Sequence, residues 1–324
     1  MFNFQQLREA EEKRQKAIPS QMFFNRFFAI DFHLQANVDR HRCKKNVYYN
    51  SLKMRNNAFN LDECRKLLWN SWSTEYAFLL TGTVDSDEYY KFALHWNFPQ
   101  AYYSVYLNMT AFHQTQGVAN DQHEKSIKLF GNSIKDGHYP EALSFYAKGS
   151  FKATIYNGMP EFQNISRDFS GLAKIRTIQE AQMQIAKFLK STREKNAEHK
   201  REKLEQNKDK KFLTKSGLFK KNFLAADWNM IYSTIPETTL LNLMYRLRIK
   251  ANYHDVEAFI NADIDFKVFH ECLGRIINYL NFVHEAYLVK VIGSGEYEKI
   301  LNGFPNHMNE NTALARYNTY IKNI

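Results

Sequence analysis

The chain has 324 residues, 44 of them basic and 34 acidic, and carries a formal net charge of +10. An apolar content of 44% supplies a sizeable core and excludes a wholly disordered chain. The 12 glycines and 6 prolines fall well below the usual ~7% and ~5%, which predicts few loops and favours a mainly helical fold over a sandwich or barrel. No uninterrupted apolar run reaches the ~18 residues a membrane-crossing helix needs. The charged start MFNFQQLREAEEKRQK lacks the apolar stretch of a secretory signal. Cys43, Cys64 and Cys272 are scattered, with no CxxC pair and no zinc spacing. These features predict reduced, mostly buried thiols in a cytoplasmic protein without a membrane partner.

Residues 1–20 read as a charged helix that stops near Pro19. In 24–35, Phe28, Ile30, Phe32 and Leu34 alternate with more polar neighbours, a pattern that fits a short strand or an aromatic-rich helix. Residues 40–56 are basic, with Tyr48 and Tyr49 interleaved. They read as a solvated connector or an RNA-contacting patch, and 1–60 is taken as a basic, aromatic N-terminal extension.

A helix is predicted from an Asp62 cap to Gly82, with Leu68, Trp72, Tyr76 and Leu79 along one face. A second helix runs from about Asp85–Asp87 to His95. A third opens at Pro99, where proline suits a first helical turn, and ends at Gly117. Another amphipathic stretch covers 121–135. Residues 150–185 give mixed signals. Residues 186–221 hold a net charge of +8, with few large apolar side chains between Lys190 and Lys211. This stretch reads as an exposed helix or insertion, and Lys200, Arg201, Lys203, Lys208, Lys210 and Lys211 are its candidate RNA-binding residues. Leu240 to Phe259 and Val268 to Ile292 show clear helical spacing.

Phosphate-binding glycine loops, GxSxG and HExxH are all missing from the sequence. The DxD spacings at Asp85–Asp87 and Asp263–Asp265 read as caps or surface. Tyr102 and Tyr103 read as packing, and His113 and His123 as polar surface. His270 and His284 lie on one helix without a third ligand. Arg-to-His spacings that suit phosphate chemistry occur at Arg26–His33, Arg193–His199 and Arg248–His254.

The third pair stands in a distinctive context. AYYSVYLNMTAFHQTQG at 101–117, then His123 and Leu129-Phe130-Gly131, then Arg248, Ala251, Asn252 and Tyr253 resemble, in order, the helices of the HEPN superfamily. The resemblance covers about 70–145 and 225–292. It implies an all-α, up-and-down helical bundle split between 61–150 and 225–324, with 151–224 as an inserted basic segment. It also implies a metal-independent endoribonuclease with no cofactor, of toxin or abortive-infection type, that dimerises. Partners would be RNA and an antitoxin or nucleotidyltransferase. On this reading Arg248 binds phosphate, His254 is the acid/base and Asn252 orients one of them, and the 2′-OH attacks the adjacent phosphorus. Two departures favour the alternative, a non-catalytic RNA-binding or partner-binding module. Ile249 stands where active members carry a polar residue, and the R-x-x-A-[DN]-Y subgroup commonly lacks the histidine. A continuous helix would also put His254 on the apolar face with Leu247 and Ala251, and Arg248 beside Asp255.

Overall fold

A computed structural model describes residues 4–84, 86–118, 122–150, 152–164, 171–172, 174–251 and 259–324. The fold is mainly α-helical, as the composition predicts, with one small three-stranded sheet. Its long helices are α1 (Phe4–Ala36), α2 (Leu61–Thr81), α3 (Asp87–Thr115), α4 (His123–Lys135), α5 (Ile178–Gln206), α6 (Ala225–Ser233), α7 (Leu240–Lys250), α8 (Phe266–Ile292) and α9 (Ser294–Asn302). Strands β1 (Tyr146–Ser150), β2 (Ala153–Asn157) and β3 (Thr238–Thr239) form an antiparallel sheet in the order β2-β1-β3.

Two prolines expected at helix ends lie inside helices. Pro19 sits within α1 and Pro99 within α3, so the two helices predicted around Pro99 are one. A proline inside a helix costs about 3 kcal/mol through a lost hydrogen bond and a clash. Packing on both sides offsets that cost. After Pro19, α1 buries Phe23, Phe24, Phe27, Ile30 and Leu34, and their three- and four-residue steps settle 24–35 as helix. Around Pro99, α3 buries Leu94, Phe98, Ala101, Tyr102, Val105, Met109 and Phe112. The cap of α2 is Asn60, whose side chain accepts from the backbone N–H groups of Asp62 (2.9 Å) and Glu63 (3.2 Å). Asp62, the expected cap, lies in the first turn. Asp265 caps α8 as expected.

Cross-helix contacts fix the directions. Thr81 meets Asn97, and Ser71 meets Ser104, so α2 and α3 are antiparallel. Asn97 meets His270, Ser104 meets Asn281 and Asn108 meets Glu285, so α3 and α8 are parallel. Phe24 packs on Phe269, and Arg275 forks onto Asp31, so α1 also runs parallel to α8. Parallel neighbours need long return connections, which α4, the sheet, α5 and α7 supply.

Stretches expected as an extension and an insertion both feed the main core. Phe23, Phe24 and Phe27 come from the first 60 residues, and Ala181, Ile185, Phe188 and Leu189 from α5. The far half of α5 and the stretch from there through α6 leave this core. There Ala197, Phe212, Ile231 and Tyr232 make a small second cluster. Arg193 joins the two regions by donating to the carbonyls of Gly149, Tyr232, Ile235 and Pro236. Gly149 has φ +107°, and a Cβ there would lie 2.3 Å from the Ala153 carbonyl, so the β1–β2 turn requires glycine.

The centre of the bundle is ionic. Arg316, fully buried, donates through Nε (2.9 Å) and Nη2 (2.6 Å) to Glu285 and through Nη1 to Glu75. Trp72 Nε1 (2.9 Å) and Asn108 Nδ2 (2.8 Å) also donate to Glu285, and Asn281 Nδ2 donates to Glu75 (3.0 Å). Burial raises the Glu75 carboxyl above the usual range, against the opposing pull of Arg316. Arg316→Met strands two buried carboxylates, and urea unfolding should show a loss of about 3–5 kcal/mol. Glu75→Gln leaves one well-matched pair and should cost less than half as much. Because its folded pKa is raised, Glu75 favours folding at low pH, and that contribution fades as pH rises through the folded value. Wild type should therefore lose stability relative to Glu75→Gln as pH rises.

Four buried histidines act in the opposite direction. Burial lowers His33, His113 and His270 to about 4 and His284 to about 3. The unfolded chain takes up their protons first as pH falls below about 6.5. Denaturant midpoints should fall from pH 6.5 towards pH 4, with up to four protons bound on unfolding. A flat profile over that interval would contradict this burial.

Candidate functional site

Arg248 lies in the last turn of α7. That helix is held at its start by a reciprocal cap, with Thr239 N–H donating to Asn242 Oδ1 at 2.8 Å. Leu240, Leu241, Leu243, Met244 and Leu247 bury its apolar face, which leaves Tyr245, Arg248 and Ile249 towards α3 or solvent. Arg248 Nε donates to Tyr103 Oη at 2.9 Å. The guanidinium carbon lies 5.3 Å from the Tyr103 ring centre and 5.6 Å from that of Tyr245.

Below it is a ring cluster centred on His123, the first residue of α4. His123 Nδ1 and Tyr102 Oη share a hydrogen bond of 2.9 Å, and the imidazole lies 4.5 Å from the Tyr106 ring. Burial first, and then the Arg248 charge, lower the His123 pKa, so the imidazole is neutral at physiological pH. Tyr103 and Arg248 border a cleft of about 400 Å³, lined also by His95, Trp96, Pro99, Ile249 and Ala251. Trp96 is 63% exposed, with its ring 5.0 Å from that of His95. Pro99 has no N–H, so it leaves the His95 carbonyl without that helix donor and available as an acceptor beside the cleft.

Such a surface combines a fixed cation, a flat exposed ring and imidazoles. Aromatic faces accept nucleobases, and guanidinium edges accept phosphate oxygens. Of the three expected catalytic residues, Arg248 lines the cleft, while Asn252 and His254 lie outside the described residues. Asp255, considered above as the ion partner of Arg248, lies outside them too.

The six candidate RNA-binding residues divide. Arg201 is structural: Nη2 donates to the Lys221 carbonyl at 2.7 Å, and the guanidinium stacks on Phe223 and Trp228. Lys203 pairs with Glu124 at 2.9 Å, which ties α5 to α4. Lys200, Lys208, Lys210 and Lys211 are exposed.

Two histidine expectations are corrected. His113 is buried rather than on the surface, and His123 is half-buried in the tyrosine cluster. His284 bonds Tyr139 and His270 stacks on Phe78, both within the core. Among the described residues no three His, Cys, Asp or Glu side chains gather as metal ligands. The three cysteines are free and buried, and burial raises Cys43 and Cys64 to about 12. No helix among the described residues is long and apolar enough to cross a membrane.

Sequence reasoning missed Trp96, His95 and Tyr245 and read Tyr103 only as packing. The adjacency of Tyr102 and Tyr103 was the one available signal. Successive helix positions differ by about 100°, so the two neighbouring tyrosines point in different directions. Comparison with protein-family models, curated proteins and solved structures yields no match to this chain.

The electrostatic influence of Arg248 on His123 gives a direct test. In Arg248→Ala the His123 pKa should rise towards its ordinary value, read from the imidazole proton shifts by NMR titration. An unchanged pKa would separate the two groups electrostatically.

Proposed function

We propose that the protein is a metal-independent endoribonuclease that binds single-stranded RNA in the Arg248 cleft. The observation that carries this reading is the placing of a stacked, half-buried arginine and an exposed tryptophan on the wall of one open cleft of about 400 Å³. The tyrosine-bearing α3, the His123 helix α4, the Arg248 helix α7 and the long α8 share one apolar core, which holds Tyr103, His123 and Arg248 in a fixed relation.

In this reading Trp96 stacks a base and Arg248 binds the adjacent phosphate through its Nη edge. The 2′-oxygen bonds to phosphorus as the bond from phosphorus to the 5′-oxygen breaks. A neutral imidazole takes the 2′-OH proton, and a protonated group returns one to the 5′-oxygen. The products are a 2′,3′-cyclic phosphate and a 5′-OH. His254 is the sequence candidate for one of these proton transfers, and His123 and His95 are the two imidazoles the fold adds beside Arg248. A toxin or phage-defence role, with an antitoxin or nucleotidyltransferase partner and a homodimeric assembly, belongs to the same proposal.

The test is incubation of purified protein with single-stranded RNA in EDTA. Wild type should leave cyclic-phosphate ends. Arg248→Ala should reduce cleavage by about 10²–10³-fold, the usual cost of losing one oxyanion donor. Trp96→Ala should mainly weaken RNA binding, by about 5- to 100-fold for one lost stacking contact. RNA that is bound but left intact by wild type, with binding reduced in both variants, would replace the nuclease with a non-catalytic RNA-binding module. Cleavage unaffected by Arg248→Ala would remove the cleft from the mechanism.

A further inference from the structure

A second cationic site lies on the other side of α7. Arg246 is two residues from Arg248, which places the two side chains on nearly opposite faces of the helix. Arg246 meets Arg26 of α1 over the middle of α5. Its Nη1 donates to Ser191 Oγ (3.0 Å) and Thr192 Oγ1 (2.9 Å), and Arg26 Nη1 donates to the same Ser191 Oγ (3.3 Å). Both guanidiniums stack on Phe188, at 5.2 Å for Arg26 and 5.3 Å for Arg246, and Arg246 also lies 5.8 Å from Phe23.

This pairing differs from the other enclosed arginines. Arg316 has two carboxylates and Arg193 has four carbonyls. Among the described residues no carboxylate pairs with Arg26 or Arg246. Both Nε atoms are buried without a hydrogen-bond partner, and neither Nη2 donates to a described group. Two like charges thus share one hydroxyl in a half-buried place. Burial lowers both pKa values, and the Arg26 charge helps bring Arg246 to about 10.

We propose that Arg26 and Arg246, oriented by Ser191 and Thr192, form a binding site for a phosphoryl dianion; the Ser191 hydroxyl itself donates to the Phe188 carbonyl (3.1 Å) and holds the guanidiniums in place. Phenylalanine occupies the flat faces of the guanidiniums, so the edges are what remains, and edges are what a tetrahedral oxyanion engages. A dianion balances two positive charges at once, where chloride balances one. The chemical class is a small phosphate, either inorganic phosphate or the terminal phosphate of a phosphomonoester. The site stands independently of the RNA-cleavage reading, because it uses neither Arg248 nor the open cleft.

The test uses the full chain in titration calorimetry and thermal unfolding. Sodium phosphate, AMP and diphosphate serve as probes, with sodium chloride at matched ionic strength as the control. Phosphate probes should bind and raise the unfolding temperature in a dose-dependent way, while chloride should not. Arg26→Met and Arg246→Met keep an apolar stem over Phe188, and each should weaken binding by about tenfold or more, the usual loss of one charged hydrogen-bond donor. The phosphate-induced rise is read from each variant's own phosphate-free unfolding temperature, which separates lost binding from the lost hydrogen bonds to Ser191 and Thr192. The triple variant Lys208→Ala, Lys210→Ala, Lys211→Ala should retain full phosphate binding. AMP binding much tighter than inorganic phosphate would assign a phosphomonoester, and equal affinities would assign free phosphate. Should either methionine variant fail to fold, Arg26→Gln and wild-type 31P line broadening give the same comparison. Absence of phosphate binding to wild type, or binding lost with the lysines and kept without the arginines, would overturn the proposal.

Discussion

The fold depends on one buried charge arrangement. Arg316, from the last tenth of the chain, reaches into the bundle and joins Glu75 of α2 to Glu285 of α8. Asn108 of α3 and Trp72 of α2 complete the shell of Glu285, so the second, third and eighth helices meet at one point. A charge in low dielectric is tolerated only with matched partners. This requirement fixes helix register more narrowly than apolar packing does. A slip of α8 by one residue would turn Glu285 by about 100° and leave Arg316 partly unpaired.

With α3 held to α8 by that network, the tyrosine-bearing part of α3 faces α7. Tyr102 turns inward to His123, and Tyr103 turns outward to Arg248. The candidate site is therefore a product of packing at a distance. The same placement of α7 gives it two cationic faces, one at the cleft and one against α1 and α5. Aromatic rings carry both. Phe188 supports Arg26 and Arg246, and Tyr103 and Tyr245 support Arg248. The high aromatic content of the chain thus serves the placing of cations as well as the core.

Helices with regular apolar spacing and polar ends were legible in the sequence. α2, α4 and α8 lie close to where their patterns predict. Pro19 and Pro99 misled because local propensity opposes a helix at both, while burial on either side outweighs the local cost. The small sheet gave little signal, since YAKGS in β1 carries no apolar alternation. Arg248 stood out by its sequence context alone, and it lines the cleft. The exposure of Trp96 and the burial of His113 were not legible, because each depends on which helices come to lie beside α3. Arg201 and Lys203 looked like free cations in a basic run. Their partners are an aromatic pair and a carboxylate from distant segments.

The central claim is that RNA enters the cleft between α3 and α7. Ultraviolet cross-linking of single-stranded RNA to the full chain, followed by mapping of the linked peptides, addresses it most directly. The account predicts links within 95–103, centred on Trp96 or Tyr103. Links confined to the exposed lysines at 200–211, with none in the cleft, would contradict it.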